Sequence, residues 1–423
     1  MWAFYVLAAL ILWQSLLSLV GGWRFLRYVR RESEAKRPLF LPFASVLVPC
    51  RGLDQGLRAN LSALFRQHYP RYEIIFVSDR QDDPALAVAE ELARRFADES
   101  VAAARFVVAG HARDEGQKVH NLRAAVGEVD PASEVFVFFD TDARPAPDWL
   151  RSLVAPLADE RVGAATGYRW FVPAGGGFAS HLRSVWNASI ASALGPDTRR
   201  NFCWGGSSAV RRSTFERLDV RARWRGTLSD DFALTRALKE AGLPVHFAPA
   251  CLTASHDDCG WRELVEFTTR QLKITRVYAP NLWRIVLISN LLWSAFFYGG
   301  LLLASARAAL GRPFEWALAL VVAVYVLGMW KSFFRLRAVA LVLEGHHAEL
   351  RAGAPYQLFL WPLTSLLYAY NALAAALSRR IRWRGITYEL KSPTETVIIS
   401  ADPDDPAPAA ANDMKTEQTP HAS

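Results

Sequence analysis

The sequence predicts an α/β domain on a mainly parallel sheet, set between apolar helices at both ends of the chain. Two observations carry that reading. From about residue 43 to 275, short β-rich runs alternate with helix-length amphipathic stretches, and uncharged apolar stretches of near-spanning length stand before and after them. A third observation locates the chemistry: carboxylates cluster where strand-like runs end and where a helix begins.

Residues 2–20 carry no charge and match the roughly 20 apolar residues needed to cross a bilayer. No basic residue precedes them and no small-residue cleavage site follows, so residues 1–23 are expected to be a retained anchor. A basic linker, 24–42, carries Arg24, Arg27, Arg30, Arg31, Lys36 and Arg37. The α/β domain is expected over 43–283, with strands at 44–49, 73–78, 104–109 and 134–139 and helices near 83–96 and 119–126. Ligands in such sheets sit at the carboxyl ends of strands, where the strand order reverses.

Membrane segments are expected over 284–378, in apolar runs at 285–304, 314–330 and 356–377 with tryptophans near their ends. A basic juxtamembrane segment, 379–400, holds Arg379, Arg380, Arg382 and Arg384, and the polar, Pro- and Ala-rich tail 401–423 reads as disordered. Basic residues beside spans mark the cytoplasmic side, which places the α/β domain in the cytosol, at the inner membrane in a bacterium. Three full C-terminal crossings would put Arg379–Arg384 on the opposite side. Either one segment is re-entrant or interfacial, or residues 336–343 contribute a fourth crossing.

The net charge of +8 is concentrated beside these apolar runs, and no nucleic-acid-binding signature accompanies it, so no nucleic-acid partner is expected. Cys50, Cys203, Cys251 and Cys259 are scattered without a CxxC pair, which suggests neither a disulfide framework nor a zinc site.

The strongest local signal is Asp140-Thr141-Asp142 after an apolar strand. Residues two apart on extended chain point to one side, so the pair suits Mg²⁺ or Mn²⁺ bound also to a diphosphate; alternatively it is an Asp-rich turn. Asp79, Asp82 and Asp83 end the strand before: they contact a nucleotide, or cap the helix opened by Pro84. Asp230 and Asp231 open a helix behind Ser229, either as helix-dipole partners or with one as a general base. Lys118 and Asn121 start a helix after Gly116, where a lysine reaches a phosphate or merely faces solvent. Trp204-Gly205-Gly206 forms either a close-approach sugar pocket or a plain turn over a buried tryptophan.

Taken in order, VPCRGLDQGLRANLSALFRQHYPRYEIIFVSDRQDDPA, GQKVHNL, DTDARPAPDWL, LSDDFALTRAL, RQLKITR and IRWRGITYEL resemble the family 2 glycosyltransferases of GT-A fold. Within them they resemble the ceramide glucosyltransferase-like branch, with its hopanoid-associated bacterial enzymes, over roughly residues 44–390. The resemblance implies a nucleotide-sugar-binding domain with a mixed, mainly parallel sheet. It makes Asp79, Asp82 and Asp83 nucleotide contacts, Asp140 and Asp142 the metal and diphosphate pair, and Asp231 the base. The family's (Q/R)xxRW segment falls at Arg270-Gln271-Leu272-Lys273-Ile274. There Lys273 keeps the charge without arginine's bidentate fork and Ile274 has no stacking face, which argues against a ceramide acceptor and against processive synthesis.

The expected activity is inverting transfer of a sugar from a nucleotide-sugar, UDP-linked by analogy, to a lipid or membrane-associated hydroxyl. Asp231, with Asp230 beside it, is assigned to catalysis. Asp140, Lys118, Arg270 and Lys273 would hold the donor diphosphate. The alternatives are a processive polysaccharide synthase and, from another class, an inactive transferase-like scaffold.

Overall fold

A strand buried on both faces needs apolar residues at nearly every position, and the central runs of this chain supply them. In the computed structural model, which describes residues 1–98 and 100–401, α1 (Trp2–Glu34) leads into β1 (Ala44–Pro49). Then follow α2 (Leu57–Leu64), β2 (Tyr72–Ser78), α3 (Pro84–Arg95), β3 (Ala103–Val108), α4 (Gln117–Gly127) and β4 (Val135–Phe139). The second half of the domain contains α5 (Trp149–Val154), β5 (Ala164–Phe171), α6 (Phe178–Ala191), β6 (Ser207–Arg211), α7 (Arg212–Arg217), α8 (Val220–Arg223), α9 (Asp230–Glu240) and β7 (Val245–Ser255).

The seven strands form one sheet in the order β3-β2-β1-β4-β6-β5-β7. Only β6 runs against its neighbours β4 and β5, giving the mixed, mainly parallel sheet that was expected. Alternation divides each central strand between two cores. Val46, Val48, Ile74, Phe76, Val137 and Phe139 face one; Leu47, Ile75, Val77, Phe136 and Phe138 face the other. The strand order reverses between β1 and β4, so the loops leaving β1, β2 and β4 converge on one crevice.

After β7 come α10 (Trp261–Tyr278), α11 (Pro280–Ala309), α12 (Glu315–Ala340), α13 (His347–Phe359) and α14 (Trp361–Leu377). Pro280 cannot continue α10 and occupies the first turn of α11. Three helices, α1, α11 and α12, are long and apolar enough to cross a membrane. The expected third C-terminal crossing is instead a pair: Glu344–Phe359 and Trp361–Leu377 meet at a 70° bend.

The expected juxtamembrane connector is a three-stranded antiparallel sheet of β8 (Arg380–Trp383), β9 (Ile386–Ser392) and β10 (Glu395–Ala401). Arg384 and Gly385 join β8 to β9 with φ of 50° and 75°, the positive pair of a two-residue I′ hairpin. This sheet packs on the α/β domain: the Tyr388 hydroxyl accepts from Gln117 N at 3.2 Å and Arg384 pairs with Asp54 at 2.5 Å. Both ends of the helical bundle therefore lie on one side. A bend of this size is that of a broken span or of a re-entrant loop. The anchor of residues 1–23 extends as helix through much of the basic linker to Glu34. Of the tail, Ala401 ends β10 and residues 402–423 lie outside the described residues.

The mouth of the bent pair rests on the end of β7. His256 lies against His346, ring centroids 4.8 Å apart, with Glu349 close by. Burial, with Arg144 and His346 adding to it against Glu349 and Asp258, pushes His256 from 6.5 down to about 4. The unfolded chain therefore binds a proton between these values that the folded histidine refuses, and stability falls on acidification through the window. Melting temperature in detergent is expected to drop from pH 6.5 towards 4, and His256→Gln to flatten the drop. An unchanged pH profile in the variant would contradict this.

Candidate active site

A cavity of about 1420 Å³ opens at the carboxyl ends of the strands. Asp140 and Asp142 sit in the turn after β4. That turn is held on three sides: Thr141 Oγ1 donates to Asp54 at 2.5 Å, Asn60 Nδ2 donates to the Thr141 carbonyl at 3.0 Å, and Arg144 N donates to the Ala254 carbonyl at 3.1 Å. Lys118, in the first turn of α4, reaches Asp140 at 2.7 Å and Asp230 at 3.3 Å. Arg169 of β5 reaches Asp142 at 2.6 Å and Asp140 at 3.6 Å. Two cations thus interleave three carboxylates.

Burial sets the stakes of this arrangement. It would raise Asp142, but Arg169, Arg384 and Lys118 outweigh it and hold the carboxyl below its usual range. It would lower Lys118, but Asp140, Asp230 and Asp231 reverse the sign and raise it. Asp230 is pushed up to about 6 by burial, aided by Asp231 and Asp140 and opposed by Lys118. Oδ1 of Asp142 is buried with no hydrogen-bond partner among the described residues. An orphaned carboxylate oxygen beside a second carboxylate in a cavity fits a hard divalent cation.

Backbone close approach places the acids of α9. Gly116 N donates to the Thr227 carbonyl at 2.8 Å, and a Cβ at Gly116 would come within 2.9 Å of the Leu228 carbonyl. The Tyr278 hydroxyl accepts from Leu228 N at 2.8 Å. Gly205 makes room for the side chains instead: a Cβ there would lie 2.5 Å from Asp230 Oδ2 and 2.7 Å from Lys118 Nζ, and the ion pair would have to shift. Asp231 stays partly open to the cavity, accepting from Phe232 N at 2.7 Å, from Gly205 N at 3.4 Å and from the Ser229 hydroxyl. Ser229 flanks α9 without a side-chain cap of its own.

The remaining expected residues divide. Asp79 is buried and pairs with Arg51, which lines the cavity, and with His111 at 3.4 Å. Asp83 instead caps α3 through Ala85 N at 2.8 Å and holds Gly52 N at 3.1 Å, while Asp82 stands on the surface by Arg80. These two do not line the cavity, since a cap must point along its own helix. Asn121 lines it, accepting from Gln117 at 2.8 Å. Gly206 packs on the Trp204 ring, and that ring is buried under Arg169, 4.8 Å from its centroid. Trp204 therefore supports an arginine where an open sugar-stacking face was expected.

Arg270 lines the cavity, with its guanidinium over Trp383 at 5.6 Å, and burial lowers it to about 10. Lys273 does not join it. Three residues along the helix it faces outward and donates to the Arg380 carbonyl at 2.7 Å, and Ile274 is buried beside Tyr278 and Ile381. Trp383 of β8 thus brings an aromatic face beside Arg270 from outside the motif. Arg169, Arg384, Asp54 and Arg51 were not among the expected site residues. Arg384 donates to the Arg51 carbonyl at 3.2 Å, and Arg51 Nε to the Arg384 carbonyl at 3.0 Å, so the two loops are latched together. Only Gly385 hinted at a turn between the two β-rich runs; nothing in GYRWF marks Arg169.

The family model described as "Glycosyl transferase family 21" matches residues 3–396, nearly the whole chain. The chain belongs to this family. Among curated relatives, the ceramide glucosyltransferase of Komagataella phaffii is 30% identical over 89 residues, 20% of this chain and 18% of that protein's length. The glycosyltransferase AglE of Haloferax volcanii is 25% identical over 262 residues, 58% of this chain and 81% of the relative. Among solved structures, the mannosyltransferase PcManGT from Pyrobaculum calidifontis, in complex with GDP-Man and Mn²⁺, aligns over 88% of this chain and 98% of its own. Its TM-score is 0.46 at 19% identity. The family is one of sugar transferases by its description, and the ceramide glucosyltransferase-like branch read from the motifs agrees with the match.

Removing the shared cation from this transferase tests the charge arrangement. Lys118→Met leaves buried Asp230 without its counter-charge and Asp140 with only the longer contact to Arg169, at a cost of about 3–5 kcal/mol. The metal-free variant is expected to melt lower, and Mn²⁺ to raise its melting temperature by more than it raises that of the wild type. Equal Mn²⁺ shifts in the two proteins would contradict the reading.

Proposed function

We propose that the chain moves a sugar from a nucleotide-sugar, with inversion at the anomeric carbon, to a hydroxyl of a lipid that enters from the membrane. One observation carries this reading. The cavity is continuous from Asp140, Asp142 and Asp231 to Ser289 and Trp293 of α11, Leu327 of α12 and Thr364 of α14. A site that joins strand-end carboxylates to the interior of an apolar helix bundle suits a water-soluble donor and a membrane-borne acceptor.

Asp140 and Asp142 would hold the divalent ion, Mg²⁺ or Mn²⁺, which when bound neutralises charge on the departing nucleoside diphosphate. Lys118 and Arg169 orient that carboxylate pair, and Arg51, Arg270 and Arg384 line the same end of the cavity. Asp79, behind Arg51, would orient the nucleotide through that arginine. Asp231 is the base. Its carboxylate takes the acceptor hydroxyl proton, the oxygen attacks the anomeric carbon, and the bond to the diphosphate breaks on the opposite face. Direct attack by the acceptor oxygen is a single displacement and inverts the anomeric centre. Asp230 acts through Lys118 and keeps the lysine between the two acidic loops.

The domain faces the cytosol in this reading, supported by the arginines at the inner end of α1 and by four cysteines that are all free.

Replacing Asp231 by Asn is expected to lower sugar transfer to a membrane lipid extract by about 10²–10⁴-fold, the usual contribution of a positioned base. Binding of the nucleotide-sugar should persist. The measurement is labelled-sugar incorporation, screened over UDP- and GDP-sugars, beside donor binding by calorimetry. Transfer at the wild-type rate would remove Asp231 as base.

A further inference from the structure

At its membrane end the cavity meets two cations that the donor chemistry leaves unused. Lys331 and Arg335 lie one turn apart on the same face of α12, and both line the cavity. Arg335 is 3% exposed; its guanidinium reaches only neutral oxygens, Ser332 Oγ at 3.3 Å and Gln357 Oε1 at 3.4 Å, and its Nε has no hydrogen-bond partner among the described residues. Lys331 makes no ion pair and no hydrogen bond among the described residues. Arg337, on the same helix, stands exposed in the ordinary manner of a basic residue near a span's end. The other two turn inward.

Their surroundings offer no carboxylate. α11 and α14 contain no acidic residue, α12 only Glu315 at its far end, α1 none before Glu32, and Glu349 of α13 lies two turns from Gln357 and pairs with His346. Gly22 of α1 leaves room for the lysine stem: a Cβ there would approach Lys331 Cγ to 3.1 Å. Cations turned into a membrane bundle are costly unless paired. This end of the cavity combines Trp293, Leu327, Trp361 and Tyr368 with small neutral polar side chains such as Ser289 and Thr364, a lining that suits an acyl or isoprenoid chain more than a nucleotide.

We propose that Lys331 and Arg335 form a binding site for the anionic headgroup, phosphate or carboxylate, of a lipid, and that the acceptor is a lipid of this class. The inference rests on the lipid-acceptor reading above. The headgroup supplies the missing counter-charge, Arg335 gives a planar donor fork and Lys331 a mobile point charge. The apolar chain lies between α11, α12 and α14, and the hydroxyl faces Asp231.

The test uses the full chain in dodecyl maltoside with dioctanoyl phosphatidic acid as probe and dioctanoylglycerol as its neutral counterpart. Wild type is expected to bind the anionic probe at least about tenfold tighter, as one charged hydrogen-bonding group warrants. Lys331→Gln should remove that preference and Lys331→Arg should restore it. Saturating UDP or GDP with Mn²⁺ should leave the probe bound, and inorganic phosphate without a chain should bind weakly. Equal binding of the two probes by wild type, or an unchanged preference in Lys331→Gln, would overturn the inference. So would displacement of the probe by nucleotide, which would assign the two cations to the donor diphosphate. Sugar transfer by wild type to a membrane lipid extract separates the two readings: its presence without an anion preference sinks only this inference, and its absence with every donor sinks sugar transfer itself.

Discussion

The site depends on one ammonium group shared by two acidic loops. Lys118 reaches both the turn after β4 and the start of α9, segments 90 residues apart in sequence. Without it Asp140 and Asp230 would face one another across a buried space, and burial would neutralise them or drive them apart. The backbone is arranged around the contact. Gly205 leaves the space the pair occupies, Gly116 brings α4 against the loop before α9, and Tyr278 receives that loop from α10. Arg169 plays the matching part for Asp142, itself supported by the face of Trp204.

A second constraint ties this arrangement to the membrane. The chain leaves the α/β domain at α11 and, after α12 and the bent pair, returns as β8–β10 to the crevice it left. Arg384 then pairs with Asp54 and is bonded reciprocally to Arg51, while Trp383 lies beneath Arg270. The hairpin holding Arg384 needs positive φ at a non-glycine residue, a modest local strain of the kind found where a functional side chain must be aimed. The arginines at this end of the cavity thus come from both ends of the chain, Arg51 after β1 and Arg384 between β8 and β9. The cavity between them joins a charged end to an apolar one, with cations at both.

Much of this was legible in the sequence, for identifiable reasons. β1, β2 and β4 fall within a residue of the expected strands because strands buried on both faces read as unbroken apolar runs, and the exposed edge strand β3 is found equally well from its valines and phenylalanine. Asp140, Asp142, Asp230 and Asp231 follow strand ends or open helices, and those positions point into the crevice by topology alone. Side-chain direction was less legible. Lys273 and Arg270 are three apart on one helix, yet only the arginine enters the cavity, because β8 lies against the other side and offers a carbonyl. Asp82 and Asp83 adjoin, but one caps a helix and the other meets solvent. Arg384 was hidden by its setting, since arginines after an apolar run read first as lipid-facing charge. Arg169 and Lys331 depend on contacts between elements distant in sequence, which no local pattern encodes.

The central claim is that the interleaved carboxylates and cations receive a metal-bound nucleoside diphosphate. Calorimetric titration of UDP and of GDP into the full chain, with Mn²⁺ and then with chelator, tests it most directly. The account predicts that one of the two nucleotides binds in Mn²⁺ and that binding is lost on chelation. Binding of neither nucleotide, or equal affinity with and without metal, would contradict it.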